Sequence, residues 1–230
     1  MRYLKLFEGY QTESEVEKIC RRYNIGDKFG EKWTLNSNGL VDVDGKVKLF
    51  GRGLKKLPLK FGEVTGGFFC ENNQLTSLEG APHKVGGNFS CSNNQLTNLE
   101  GAPNTVGGIF NCENNQLTSL EGAPNTVSSH FFCHSNNIRS FDGLMNIGGD
   151  FYCWTNPLFS IWQIINSFTV GVNNFPENSD RYKWDSEKME FFNDLDIIRG
   201  EEIAIERLNF FLEEMGLDPV ESVKGYKNIY

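Results

Sequence analysis

The chain predicts an α/β repeat: a solenoid of about six 21-residue coils carrying one parallel sheet, with helical segments capping both ends. Three observations predict it. The phrase Asn-Asn-Gln-Leu-Thr recurs at 72–76, 93–97 and 114–118, a spacing of 21 residues, which is a solenoid period. The cysteines keep the same beat at Cys70, Cys91, Cys112 and Cys133, with Cys153 one residue early. Two residues before each stands a phenylalanine (Phe68, Phe89, Phe110, Phe131, Phe151), and three after each an asparagine (Asn73, Asn94, Asn115, Asn136, Asn156).

Residues 1–32 read as an N-terminal helical cap. Thr12 and Glu15 form a capping box, and Val16, Ile19, Cys20 and Tyr23 recur at helical spacing. Residues 33–165 are the solenoid. Trp33, Leu35 and Leu40 suit a capping strand. Val43, Val47, Leu49, Leu54, Leu57 and Val64 form a decayed first repeat, with Arg52 in the asparagine place. The full motif follows as Val-x-x-x-Phe-x-Cys-x-x-Asn-x-Leu-x-x-Leu. Its last two columns are Leu75, Leu96, Leu117, Ile138, Leu158 and Leu78, Leu99, Leu120, Phe141, Ile161.

Alternation along Phe-x-Cys turns ring and thiol inward and the residues between them outward. The asparagine is the turn residue, its amide bonding backbone as the chain leaves the strand. Glu-Gly-Ala-Pro at 79–82, 100–103 and 121–124 makes the returning turn, and Gly-Gly permits a tight bend before the next strand. One coil cannot bury its own apolar face, so stacking must.

Residues 166–230 read as an acidic C-terminal helical cap. Ile161-Trp-Gln-Ile-Ile-Asn covers the last coil, and residues 180–190 are weakly helical. Residues 200–215 are an amphipathic helix with Ile203, Leu208, Phe211, Leu212 and Met215 on its apolar side, ended by Gly216.

Composition bounds function. The chain has 230 residues, 39% hydrophobic and 13% aromatic, enough to build a core. Thirty Asp and Glu against 22 Lys and Arg give a net charge of −8. That argues against direct binding of nucleic acid or an anionic membrane. The excess is local: residues 166–230 hold 14 acids and 7 bases, while residues 43–165 hold 9 and 8. No apolar run approaches the roughly 20 residues of a transmembrane helix. Met1–Tyr10 lacks the apolar stretch and small-residue site of a signal peptide. Together with inward thiols this predicts a reducing compartment.

The motif is close to the general leucine-rich form, and the chain resembles a leucine-rich-repeat protein. Over nearly its whole length it is similar to an uncharacterised group encoded by tailed bacteriophages. The carrying features are Met1-Arg-Tyr-Leu-Lys-Leu-Phe-Glu, Val41-Asp-Val-Asp-Gly, Leu57-Pro-Leu-Lys-Phe, the repeated Leu-Thr-Ser-Leu-Glu-Gly-Ala-Pro and the exit Asn156-Pro-Leu. The repeat Asn-Asn-Gln-Leu-Thr-Ser-Leu also resembles the solenoids of bacterial effectors, some of which carry a ubiquitin-ligase domain with Cys-x-Asp. Here Cys153 is followed by Trp154 and Thr155, and the tail holds no cysteine, so that activity is not expected. The resemblance implies the cytoplasm of an infected bacterial host as the place of action.

Chemistry-bearing clusters are few. Five thiols in a column spaced about 5 Å apart cannot surround one zinc ion, and buried cysteine packs well as a small apolar residue. His130, Cys133 and His134 resemble a metal cluster in sequence only. On a strand the histidines share a face about 13 Å apart, and Cys133 points the other way. His83 stands alone in a turn. Asp194 with Asp196, and Glu201 with Glu202, have no motif around them. No nucleophile–base pair, phosphate loop or dinucleotide fingerprint is present, so no enzyme, metal or cofactor is expected.

What remains is the outward face of the strands. Its columns are Lys46, Gly67, Asn88, Ile109, His130, Asp150; Lys48, Phe69, Ser90, Asn111, Phe132, Tyr152; and Phe50, Glu71, Ser92, Glu113, His134, Trp154. The last two coils place His130, Phe132, His134, Tyr152 and Trp154 side by side, a grouping that marks an interaction site unless the C-terminal segment folds over it. The expected function is a non-enzymatic protein–protein interaction module, a monomer or weak homo-oligomer. The resemblance implies a phage accessory protein that binds and inhibits or redirects a host or viral protein such as a defence factor. The alternative is an acidic nucleic-acid mimic acting through the C-terminal segment on a DNA-binding protein.

Overall fold

The computed structural model describes residues 3–6, 9–26, 32–139, 142–143, 146–157, 195, 197–199, 202–214, 218–224 and 226–230. Each coil gives two short strands separated by a bend, and each strand stacks parallel on its copy one coil away. The first ladder comprises Val41–Asp44, Phe61–Val64, Lys84–Val85, Thr105–Val106, Thr126–Val127 and Asn146–Ile147. The second comprises Val47–Lys48, Phe68–Phe69, Phe89–Ser90, Phe110–Asn111, Phe131–Phe132 and Phe151–Tyr152. We number the coils 1 to 6 by this second ladder. The strand Lys32–Leu35 closes the first ladder as an antiparallel seventh member, setting Trp33 opposite Val43.

The expectation of a single sheet is corrected to two ladders. The valine column and the phenylalanine column both pair, and the bend between them turns the chain. Backbone bonding continues through that bend, as in Gly86 N–H to the Val64 carbonyl and Gly87 N–H to that of Gly66. Coils approach closely there: a Cβ on Gly86 would lie 2.2 Å from the Thr65 carbonyl oxygen.

The core is a set of columns. Phe68, Phe89 and Phe110 stack nearly parallel with centroids 5.5 and 5.4 Å apart, and Phe131 and Phe151 continue the row at 5.0 and 5.8 Å. The valines, the leucine pairs and the thiols beside them are buried. All six cysteines are free. Each of the first four column thiols donates forward to a carbonyl of the next coil: Cys70 to Ser90, Cys91 to Asn111, Cys112 to Phe132 and Cys133 to Tyr152, at 3.3–3.5 Å. Burial pushes each of these thiols well above the ordinary range.

The two residues of Asn-Asn have separate tasks. The first takes the left-handed conformation, with φ of 57°, 53° and 52° at Asn72, Asn93 and Asn114. Ser135 and Thr155 follow at 56° and 61°. Asparagine tolerates this region better than other side chains do. The second asparagine staples two coils. Asn115 Nδ2 donates to the carbonyls of Cys112 and Glu113 in its own coil and of Cys91 in the coil before, while its Oδ1 accepts Leu96 N–H. Asn73, Asn94 and Asn136 repeat the pattern. Asn156, last in the row, still bonds Cys133, Cys153 and Ile138 and is buried.

The ends contain more strand than expected. Tyr3–Leu6 and Gly9–Thr12 form an antiparallel hairpin. The helix α1 (Glu13–Tyr23) starts directly after it, and its Val16 and Cys20 are buried in the same apolar cluster as the solenoid columns. At the other end Ile198–Arg199, Glu202–Ala204 and Lys227–Ile229 form a three-stranded sheet, followed after its middle strand by α2 (Ile205–Glu214). Ile203 was expected on the helix. It sits instead in a strand paired on both sides, with Ile198 and with Asn228, and such pairing overrides helical periodicity. Phe141, Leu158, the segment 161–166, residues 180–190, Asp194, Asp196, Glu201, Met215 and Gly216 lie outside the described residues. Among those described, no helix is long and apolar enough to cross a membrane.

Two outcomes follow. A thiol-specific reagent should label the native protein slowly and all six cysteines after unfolding. Because the column thiols titrate higher folded than unfolded, their contribution is complete below about pH 8.5. Above it, unfolded thiols ionise first and stability falls by up to about 1.4 kcal/mol per thiol per pH unit. Denaturation midpoints across that range check this. Asn115→Ala should cost about 1–3 kcal/mol by stranding backbone groups. Asn156→Ala should cost as much, since it keeps the same backward bonds; a markedly smaller thermal shift for Asn156→Ala would refute that equality.

Candidate functional site

Strand alternation fixes which residues face outward, and stacking fixes their neighbours. Because Phe132 pairs with Tyr152 in register, residues of one column are one coil apart. The rings of Phe132 and Tyr152 stack at 4.4 Å and 7°. The rings of His134 and Trp154 stack at 4.2 Å and 11°. Tyr152 meets Trp154 edge to face at 5.4 Å, and His130 meets both Phe132 and Tyr152 the same way. The structure therefore brings all five expected residues into one contiguous cluster. All five are half-buried.

Carboxylates hold the cluster. Glu113 lies one coil before His134 in the same column, and its Oε2 is 2.5 Å from His134 Nε2. The other ring nitrogen of His134 faces Ser135 Oγ at 3.2 Å. Asp150 shares the column of His130. Its backbone N–H donates to His130 Nδ1 at 3.0 Å, while its carboxylate lies 3.2 Å from the same nitrogen. The backbone donor is fixed, so the neutral ring carries its proton on Nε2. The Asp150 carboxylate accepts instead from the Tyr152 hydroxyl at 3.0 Å. Glu113 and Asp150 were named only as column members by sequence. Reading the columns vertically, acid against histidine, would have found both pairs.

Other expectations separate here. Ser92, placed on the outward face, is buried with 4% exposure, and Gly67 is buried too. His134 meets Glu113, whereas His130 accepts from the Asp150 backbone N–H. Among the described residues no group of three His, Cys, Asp or Glu could hold a metal ion. His83 is not alone: its Nε2 lies 3.5 Å from Glu63, which also meets Lys84. The C-terminal residues reach the solenoid at another place. The Tyr226 hydroxyl donates to the Arg139 carbonyl, and the Arg139 guanidinium lies 5.7 Å from the Tyr226 ring centroid. Burial there raises the phenol's pKa.

The arrangement offers ring edges, one indole, the His134–Glu113 pair and the Tyr152–Asp150 hydrogen bond, all held by mutual contact. At its edge Ser135 Oγ, the His134 ring and the Glu113 carboxylate stand in sequence. No family model, no curated protein and no solved structure matches the chain.

Trp154→Ala should cost about 0.5–1.5 kcal/mol, the worth of an aromatic pair beyond its area. Unfolding should stay a single transition. A loss of the size of a core phenylalanine deletion, about 3–5 kcal/mol, would mean that the indole belongs to the core.

Proposed function

We propose that this chain is a non-enzymatic binding module that engages a protein partner through His130, Phe132, His134, Tyr152 and Trp154. The observation that carries the reading is the double aromatic stack on two adjacent rungs, half-exposed and fixed by Glu113 and Asp150. Rings already ordered before binding lose little side-chain freedom on contact, and such anchors dominate interface energies. The repeat is read as a leucine-rich one, and the terminal helices with their strands serve as caps on the column ends. That the partner is a host protein met during phage infection rests on the sequence resemblance alone. Action as a charge mimic through the acidic C-terminal residues is the competing reading.

The double change Tyr152→Ala, Trp154→Ala should abolish capture of a bacterial protein that the parent chain retains from lysate. Truncating such anchors removes more than about 2 kcal/mol, roughly thirtyfold in affinity. Ser90→Ala is the control on the same face; Ser92 is buried and unsuited to it. Capture should persist at high salt. Retention by the aromatic variant together with loss in high salt would move the site to the acidic residues.

A further inference from the structure

Among the residues whose side chains are described, three large apolar ones remain exposed: Phe50, Phe210 and Tyr230. Two of them sit in opposite charge fields. Phe50 follows the first rung of the second ladder, in a stretch from Lys46 to Lys60 that contains Lys46, Lys48, Arg52, Lys55, Lys56 and Lys60 and no acid. Lys60 meets Glu79, Lys48, Arg52 and Lys55 are exposed, and the one acid in the column of Phe50 on the next coil, Glu71, is half-buried. Phe50 itself is 51% exposed. Phe210 is 49% exposed on α2. Its helical neighbours four before, three after and four after are Glu206, Glu213 and Glu214, all exposed. The one base of that helix, Arg207, turns its guanidinium to the Leu195 carbonyl.

Phe50 belongs to coil 1, whereas the C-terminal residues dock at coil 5 through Tyr226 and Arg139, four coil steps or about 19 Å along the axis. The edges differ too. The first ladder is closed by Lys32–Leu35, but the second ends at Val47–Lys48 with no further strand among the described residues. We infer that the basic first coil around Phe50 is a docking surface for the acidic face of α2 around Phe210 on a second copy of this chain. Each ring enters a field of opposite sign, so steering and apolar contact act together. The two surfaces are different, so the contact is heterologous and runs head to tail. It leaves the aromatic cluster of coils 5 and 6 uninvolved.

Sedimentation velocity over a concentration series tests this. At about 50 mM salt the weight-average mass should rise with concentration past that of a dimer, and at about 500 mM the association should weaken by at least about tenfold. Phe50→Ala should weaken it with no change in charge. Lys48→Glu with Arg52→Glu, and separately Glu213→Lys with Glu214→Lys, should each give a monomer. Mixing these two charge-reversed proteins should restore association, because each then supplies the patch that the other lacks. All substituted side chains are exposed, so thermal melting should match the parent. Three results would overturn the inference: a parent that stays monomeric throughout, an arrest at a dimer that both reversals leave intact, or no rescue on mixing. Binding of a labelled oligothymidylate by the monomer, lost with Lys48→Glu and Arg52→Glu, would assign the basic coil to a polyanion instead and equally overturn it.

Discussion

One side-chain amide in each coil sets the terms for the rest. The asparagine three residues after the thiol column has two donors and an acceptor on a short stem, and it spends them on backbone from two coils at once. To do so it must sit inside the turn, and the residue before it must enter the left-handed region. The turn tightens around the amide, which leaves room in the neighbouring column for a thiol and little more. The thiol then donates to the next coil's carbonyl, which already accepts the same cysteine's backbone N–H, so the weak bond gives the buried thiol a partner. Phenylalanine can fill the column two residues earlier because a flat ring repeats well at the spacing of a parallel ladder.

Repetition in one dimension also governs the surface. A side chain on the outward face has its column neighbours one coil away on either side, closer than most surface residues ever are. Like charges in one column repel; the returning turn tolerates this where Glu79, Glu100 and Glu121 stand exposed, while several strand columns hold complementary or stackable groups. Glu63 meets Lys84, Glu113 meets His134, and Phe132 meets Tyr152. The cluster at coils 5 and 6 is the place where this rule yields rings instead of small polar groups. Its order comes from the ladder beneath it, and no separate scaffold is needed to position it.

The columns were legible because each is written once per 21 residues: among the described residues, valine, phenylalanine, cysteine, asparagine and the leucine pair fell where the spacing put them. The division into two ladders was not legible. Pairing on either side of a glycine bend uses the same backbone bonds, and the direction of the chain through Gly86 and Gly87 leaves no mark in the residue types. The terminal strands escaped for a different reason. Glu202–Ala204 carries Ile203 in a pattern that also suits a helix, and only its two partner strands, one of them more than twenty residues away, decide the matter. Of the cluster, the five rings were legible from register. The acids that hold them needed the sequence to be read from coil to coil instead of along the chain.

The staple also explains why the repeat decays where it does. Every asparagine reaches backward: Asn73 bonds Leu49, Asn94 bonds Cys70, and so on to Asn156 and Cys133. Coil 1 has no similar coil behind it. An asparagine there would find only carbonyls of its own coil and none behind, so Arg52 in that place gives up no bond between coils. Its backbone is instead served from in front, since Asn73 Oδ1 accepts both Arg52 N–H and Leu54 N–H. At the far end the logic reverses. Coil 6 must keep Asn156 to hold coil 5, although Thr155 has replaced the first asparagine and must itself adopt the left-handed turn. The first four column thiols run the other way, each donating forward, so adjacent coils are bonded in both senses. Degeneration of the motif at coil 1 and its retention at coil 6 are therefore one asymmetry, set by the direction in which a single amide points.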